Sequence, residues 1–255
     1  MRDVLAFDNW PALLLGRLFD RRAGFVIYRK NGMDILIDHG GGDENGTRYC
    51  LAGSMYRKYL ATFVLPLPVR VLDIGAMGGG FPLLLKDMGI ELSRAVSVEM
   101  NPMTYLRLKL NLATNLGSSC VAINAAVCGL PDNSELQLKP SRGSTSGSIY
   151  TDGADSAMDY DSVRTTTLEA LCAQYFNDEV IDICKIDIEG AEYELFDSCP
   201  DEVLRKIRYL IVEFHDAVKT PAAVKRMMRL GFDEIQIAER DNADDKVRGF
   251  RGPGA

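Results

Sequence analysis

The stretch Val71-Leu72-Asp73-Ile74-Gly75-Ala76-Met77-Gly78-Gly79-Gly80-Phe81 decides the fold. A short apolar run ends in an acid and turns through glycines into a second apolar segment, residues 81–88. That order predicts a buried strand, a tight turn and a helix. Glycines let backbone approach a ligand closely and leave N–H groups at the helix start. A dinucleotide-binding turn needs GxGxxG, and Met77 stands where its second glycine would be. An acid two residues before Gly75 also repels a diphosphate, whereas it suits a ligand carrying an ammonium group.

The same alternation continues outward. Short apolar runs at residues 95–99, 120–124, 180–186, 209–214 and 234–238 predict further strands. Helical patterns follow at 102–116, from Gly190 onward, and from Thr220-Pro221, where threonine caps a helix and proline opens it. The fold class expected is α/β: a doubly wound, mostly parallel, Rossmann-like sheet over residues 69–240, with ligands at the carboxyl ends of the strands. Residues 1–68 read as a small mixed α/β N-terminal extension. It has helical spacing of Leu5, Trp10, Leu13, Leu14 and Leu18, then two short strands, 24–28 and 34–38, around the turn Asn31-Gly32. A glycine-rich loop at 39–46 and a helix over 54–64 complete it. The segment 139–162 is polar and rich in Ser, Gly and Asp, and a loop of that length is expected to face a substrate. Residues 241–255 read as a polar tail that frays unless Lys246, Arg248 and Arg251 fold back over a site.

Composition narrows the function. The 255 residues hold 29 Lys and Arg against 36 Asp and Glu, a net charge of −7, which argues against a nucleic-acid groove because such surfaces are basic. Two histidines, His39 and His215, exclude a metal site built on three. Six cysteines without CxxC spacing predict free thiols in a reducing compartment. No run approaches the roughly 20 apolar residues of a membrane span. A cytoplasmic protein with neither membrane nor nucleic-acid partner is expected. The apolar helix near the N-terminus packs either on the domain or on a second copy in a homodimer.

Charges gather at the predicted strand ends. Glu99 lies 26 residues past Asp73, where a carboxylate can accept both ribose hydroxyls of an adenosyl ligand. With Asp73 it points to S-adenosylmethionine, whose amino-acid end and sulfonium are cationic, ahead of NAD. Lys185, Asp187, Glu189 and Glu192 flank the end of the 180–186 strand, and Glu213 and His215 flank the next. Buried charges are costly unless paired, so packing alone explains such a cluster poorly. His215, with an ordinary pKa near neutrality, is the best general-base candidate.

In this order the features resemble the FkbM family of S-adenosylmethionine-dependent methyltransferases. The resemblance runs over about residues 70–216. It rests on Asp73-Ile74-Gly75-Ala76 with Gly79, on Glu99 with Asn101-Pro102, Leu106, Asn111 and Asn115, and on Asn124-Ala125-Ala126-Val127. It continues through Thr166-Thr167-Leu168-Glu169, Lys185-Ile186-Asp187-Ile188-Glu189-Gly190-Ala191-Glu192 and Val212-Glu213-Phe214-His215. The KxDxEGxE stretch is its most specific part. Met77 and Glu169 depart from the family pattern.

The resemblance implies methyl transfer, commonly to a hydroxyl of a small natural product or sugar. On that footing Gly75, Ala76, Met77 and Gly79 shape the cofactor loop with Asp73, and Glu99 and Met100 hold the ribose side. Asn124, Ala125 and Ala126 flank the adenine. Asp187 lies between the methionine end and the acceptor, with Glu189, Glu213 and His215 around the acceptor. Asp187 and Glu213 with waters would also suit Mg²⁺. Tyr56-Arg57, Tyr150, Met158 and Tyr160 are candidates for the acceptor wall. Alternatives are a methyltransferase acting on RNA or protein, an NAD-dependent oxidoreductase, and a non-catalytic adenosyl-binding module.

Overall fold

The computed structural model describes residues 2–19, 24–139, 161–237 and 246–254. A 3-10 turn, Arg2–Ala6, precedes α1, Trp10–Phe19, and an antiparallel hairpin of β1, Phe25–Lys30, and β2, Met33–Asp38. Asn31 and Gly32 turn that hairpin at positive φ, the backbone an Asn-Gly pair favours. The helix expected over 54–64 is present as the shorter α3, Met55–Leu60; before it lies α2, Thr47–Ala52, which the sequence did not suggest, with Gly53 extended between them.

The main body follows: β3, Val69–Ile74; α4, Gly80–Asp87; β4, Leu92–Glu99; α5, Pro102–Asn115; β5, Cys120–Asn124; β6, Ala126–Val127; β7, Glu135–Leu138; β8, Asp161–Thr166; α6, Leu168–Phe176. Then come β9, Ile181–Ile186; α7, Glu192–Ser198; α8, Asp201–Leu204; β10, Ile207–Glu213; α9, Thr220–Arg229; β11, Asp233–Ile235; and β12, Val247–Arg251. Seven strands form one sheet in the order β11-β12-β10-β9-β3-β4-β5. The run from β10 to β5 is parallel, so the expected mostly parallel α/β sheet is present. The chain leaves β3 toward β4 and β5 and returns to β9 on the other side, which makes the β3–β9 edge the switch point where such sheets open a crevice.

Two parts differ from the sequence reading. The segment expected to fray, 241–255, supplies β12, which inserts antiparallel between β10 and β11. Its basic residues hide a strand buried on both faces: Val247 joins the N-terminal cluster and Phe250 the helix-covered one, while Arg248 pairs with Glu234 at 2.9 Å and Arg251 with Asp233 at 3.2 Å. These arginines therefore lie along the sheet edge and not over a site. A Cβ on Gly249 would collide with the ring of Tyr59, whose hydroxyl donates to the Val247 carbonyl at 2.9 Å. The second difference is a small sheet, β6-β8-β7, that the sequence did not suggest. The expected substrate-facing loop is anchored on it, although residues 140–160, with Tyr150, Met158 and Tyr160, lie outside the described residues.

The central strands alternate between two cores. Leu72, Ile74, Val96, Val98, Cys184, Ile186, Leu210 and Val212 face α6, α7 and α9. Val69, Val71, Ala95, Ile183 and Ile211 face α4 and the N-terminal segment, where Phe7, Tyr28, Ile35, Ile37 and Tyr59 complete one cluster. The first 68 residues are thus a layer of the domain. α5 fastens β2 with two asparagines one helical turn apart. Asn111 bonds the N–H and carbonyl of Leu36, and Asn115 those of Asp34, at 2.7–3.0 Å. Each side chain replaces a strand partner for the free edge of β2.

All six cysteines are free thiols, and four are buried. Among the described residues no helix is long and apolar enough to cross a membrane.

Candidate functional site

The carboxyl ends of β3, β4, β9 and β10 open into a cleft of about 640 Å³, a size that holds a nucleoside-bearing ligand. Alternation along the strands decides what reaches it. Asp73, Ser97, Glu99, Lys185 and Glu213 share the parity of the strand residues that face the N-terminal segment; of these Glu99, Lys185 and Glu213 line the cleft, together with Thr47, Cys50, Met55 and Tyr56 of that segment.

The glycine turn is held from both sides. Gly75 has φ +73°, and a Cβ there would run into the Asp187 carbonyl, so only glycine fits between the two strand ends. Met77 sits at φ +48°, and its N–H donates to Glu99 Oε2 at 2.9 Å. Gly78 donates to Thr47 Oγ1 at 3.0 Å and accepts from Asn111 Nδ2 at 2.8 Å. Gly75, Ala76 and Met77 line the cleft. Gly79 does not: it begins α4, with Leu108 and Leu112 packed where its side chain would be.

Glu99 is almost fully buried. Its Oε1 accepts from the Asn101 N–H at 2.8 Å, which with Met77 gives each oxygen one backbone donor. Burial pushes its carboxyl up to about 7 against the pull of those donors. Met100, Ala125 and Ala126 line the cleft beside it. Asn124 does not line it; its side chain donates to the carbonyls of Glu99 and Met100, both at 2.9 Å, and so fixes the strand end instead of touching a ligand.

Asp73 is also placed differently from the expectation. It is wholly buried beside Lys185, its register partner across β3 and β9, at 3.5 Å, and does not line the cleft. Burial pushes its carboxyl up to about 6. Its charge balances Lys185, which the sequence pattern included without showing its task. Lys185 Nζ donates to the Gly75 carbonyl at 2.7 Å and lies 3.4 Å from Asp187 Oδ2. Burial works against the ammonium, but Asp187 and Asp73 carry its pKa above the usual lysine range. One buried cation thereby ties the glycine turn to the acid at the end of β9.

The remainder of KxDxEGxE forms the turn into α7. Glu189 and Gly190 adopt positive φ, and Glu192, fully buried, accepts from the N–H groups of Ile188 and Gly190 at 3.0–3.2 Å. Glu192 also meets His215 Nδ1 at 2.9 Å. The other ring nitrogen, Nε2, faces Glu189 at 3.5 Å, Glu213 at 3.7 Å and Asp187 at 3.8 Å. Burial works against the imidazolium, yet the hydrogen bond and charge of Glu192, followed by the other acids, push His215 up to about 9. The near-neutral base expected from sequence is therefore a cation at pH 7, because four carboxylates surround it. Burial also raises Glu189, to about 7, and Glu213. One ligand atom each from Asp187, Glu213 and His215 lie within 4.8 Å of one another, close enough to share a metal ion.

Asp187, Glu189 and Glu213 therefore come together as expected, and Lys185 of the same motif joins them, whereas Thr47 and Cys50 join the cleft without a signal of their own. Tyr56 lines it, while Arg57 turns away to Asp87.

Comparison with known proteins gives the family. The methyltransferase FkbM domain family matches residues 73–234. Among solved structures, the methyltransferase FkbM of Methylobacillus flagellatus KT is similar at 11% identity and a TM-score of 0.52, over 75% of this chain and 45% of that one. The present chain thus spans just under half of that protein's length. The tRNA m1G37 methyltransferase of M. jannaschii gives 12% identity and a TM-score of 0.45, over 90% of this chain and 57% of that one. The precorrin-6y C5,15-methyltransferase of Geobacter metallireducens GS-15 gives 12% and 0.41, over 77% and 85%. At such identities the likeness is one of fold. No curated protein matches the chain in sequence. The family match begins at Asp73 and takes in the glycine turn, Glu99 and the acids around His215, and with it this chain belongs to the FkbM methyltransferase family.

Proposed function

We propose that the chain transfers a methyl group from S-adenosylmethionine to a hydroxyl of a small molecule of the natural-product or sugar kind. The observation that carries this reading is that Asp187, Glu189 and Glu213 line the same cleft as Glu99 and surround His215, which does not itself line the cleft.

The residues present fit the cofactor. Each Glu99 oxygen takes one backbone N–H and can accept one more hydrogen bond, which matches the two hydroxyls of a ribose. Met100, Ala125 and Ala126 offer an apolar wall to the adenine, and Gly75, Ala76 and Met77 flank the methionine chain. The cofactor, when bound, supplies an activated methyl on a sulfonium. The protein's part is alignment and proton handling. Asp187 and Glu213 accept the hydrogen of the acceptor hydroxyl. Glu189, with its carboxyl near 7, takes up a proton at neutral pH, and His215 as imidazolium keeps these acids from repelling one another apart. The concentration of carboxylates disfavours a polyanionic acceptor such as RNA.

A Mg²⁺ shared by Asp187 and Glu213 is the secondary reading, drawn from the spacing of their ligand atoms with His215. The imidazolium opposes a cation there, so such binding requires loss of the His215 proton.

The test is formation of S-adenosylhomocysteine on adding a panel of sugars, phenols and aliphatic alcohols, for the native chain and Asp187→Asn, with and without EDTA. The native chain is expected to methylate a panel member. The variant should lose about 100-fold in turnover, about 2.7 kcal/mol of barrier, with cofactor affinity within a few-fold. Methylation confined to RNA or protein would overturn the acceptor assignment. Turnover that survives EDTA would remove the metal.

A further inference from the structure

Five tyrosines among the described residues are buried, and four of them have a use for their hydroxyl. Tyr28 meets His39 Nε2 at 3.2 Å, and Tyr59 donates to the Val247 carbonyl. Tyr193 donates to the Asp216 carbonyl at 2.9 Å, and Tyr209 accepts from the Val64 N–H at 3.0 Å. Tyr56 is the exception: only 6% exposed, it has no hydrogen-bond partner among the described residues, and it lines the cleft. Its ring is fixed edge-on against Phe81, with centroids 5.5 Å apart, and lies close enough to Asp187 and Glu213 to be affected by their charges.

Its hydroxyl is open to the cleft and not enclosed by protein, so no cost of burial attaches to it, and phenylalanine would pack on Phe81 equally well. A ring fixed by packing, with a hydroxyl unpaired among the described residues and open to the cleft, is placed to bond a ligand there. We propose that Tyr56 is an acceptor-binding residue, its phenol donating a hydrogen bond to the acceptor oxygen. The oxygen is then held between a donor and carboxylates that take its own hydrogen, leaving a lone pair for the incoming methyl. Burial and the nearby acids raise the phenol's pKa well above its ordinary value, so it remains a donor across the working pH range. Tyr56 lies in α3, outside residues 73–234, so acceptor selection is assigned to the N-terminal layer and not to the family core. This inference rests on the proposed hydroxyl acceptor.

Tyr56→Phe tests it through three readouts. The melting temperature should stay within about 2 °C, since the hydroxyl opens into the cleft and holds no other part of the fold. The Kd for S-adenosylmethionine should stay within twofold. The kcat/KM toward an alcohol that the native chain methylates should fall at least tenfold, mainly through KM. A melting temperature several degrees lower would mean that the fold uses the hydroxyl, and would overturn the proposal, as would unchanged kcat/KM. A parallel loss of cofactor affinity would reassign Tyr56 to the cofactor. If the native chain methylates no alcohol in the panel, the function reading fails on that result alone, and the first two readouts still decide whether Tyr56 serves the fold, the cofactor or neither.

Discussion

The two faces of the central sheet use the same strands for opposite purposes. On one face Leu72, Val96, Cys184 and Leu210 meet α6, α7 and α9 in an apolar layer, whose one buried acid, among the described residues of these strands, is Asp182 at the amino end, between Arg70 and Arg208. On the other, apolar residues at the start of each strand give way, at the carboxyl end, to Asp73, Ser97, Glu99, Lys185 and Glu213. Successive side chains point to opposite faces, so a strand can be hydrophobic throughout one face and carry chemistry at the end of the other. Stability and function are thereby separated by parity along the strand more than by distance.

That separation can be broken from either side. Leu210→Ala, on the helix-covered face, should cost about 2–5 kcal/mol of stability while leaving cofactor affinity within about twofold. A loss of affinity as large as the loss of stability, measured by denaturant unfolding and calorimetry, would show that the faces are coupled.

Glu99→Gln makes the opposite cut. It removes a charged acceptor from the ribose site and should weaken cofactor binding by about 1.5–3 kcal/mol, with a small change in melting temperature. The native carboxyl sits near 7, so its ionised fraction, and with it affinity, should rise about tenfold between pH 6 and pH 8. The glutamine variant should show no such rise, and a persisting one would place the titration elsewhere.

The smallest effect belongs to His215. Its pKa is raised from 6.5 to about 9 in the folded chain, so its stabilising contribution is complete below about 6.5 and is lost as pH rises through 9. Screening at a partly exposed site leaves an expected drop of about 2–4 °C in melting temperature from pH 6.5 to 9.5. His215→Gln should flatten that slope. An equal slope in the variant would mean the imidazole is not held as a cation by Glu192 and its neighbours.

Much of the site is legible in the sequence. An apolar strand ending in an acid and glycines, with Glu99 at the next strand end, fixes where a ligand sits, because these signals are local and follow strand periodicity. Asp187, Glu189 and Glu213 are legible for the same reason. The roles within the cluster are less so. Nothing local distinguishes Asp73, which neutralises Lys185 inside the sheet, from an acid facing the ligand. The shift of His215 arises from acids up to 28 residues away in sequence, a property of their convergence.

Two features escaped altogether for physical reasons. The strand β12 is masked by the arginines that pair it to β11, so its composition resembles a solvated tail. Asn111 and Asn115, placed by resemblance alone, prove to be the clamp on β2, a contact between residues some 75–81 apart in sequence.

By itself the sequence determined the α/β class, the place of the cleft and the acids that line it, because strand periodicity and the Gly75 turn act over a few residues. The tertiary structure decided that the N-terminal layer covers the chemically active face, that Lys185 joins Asp73 to Asp187, that His215 is cationic, and that Tyr56 alone among the buried tyrosines of the described residues has no hydrogen-bond partner. Each of these depends on groups brought together from distant elements, where burial and neighbouring charge, absent from any local pattern, set the energy.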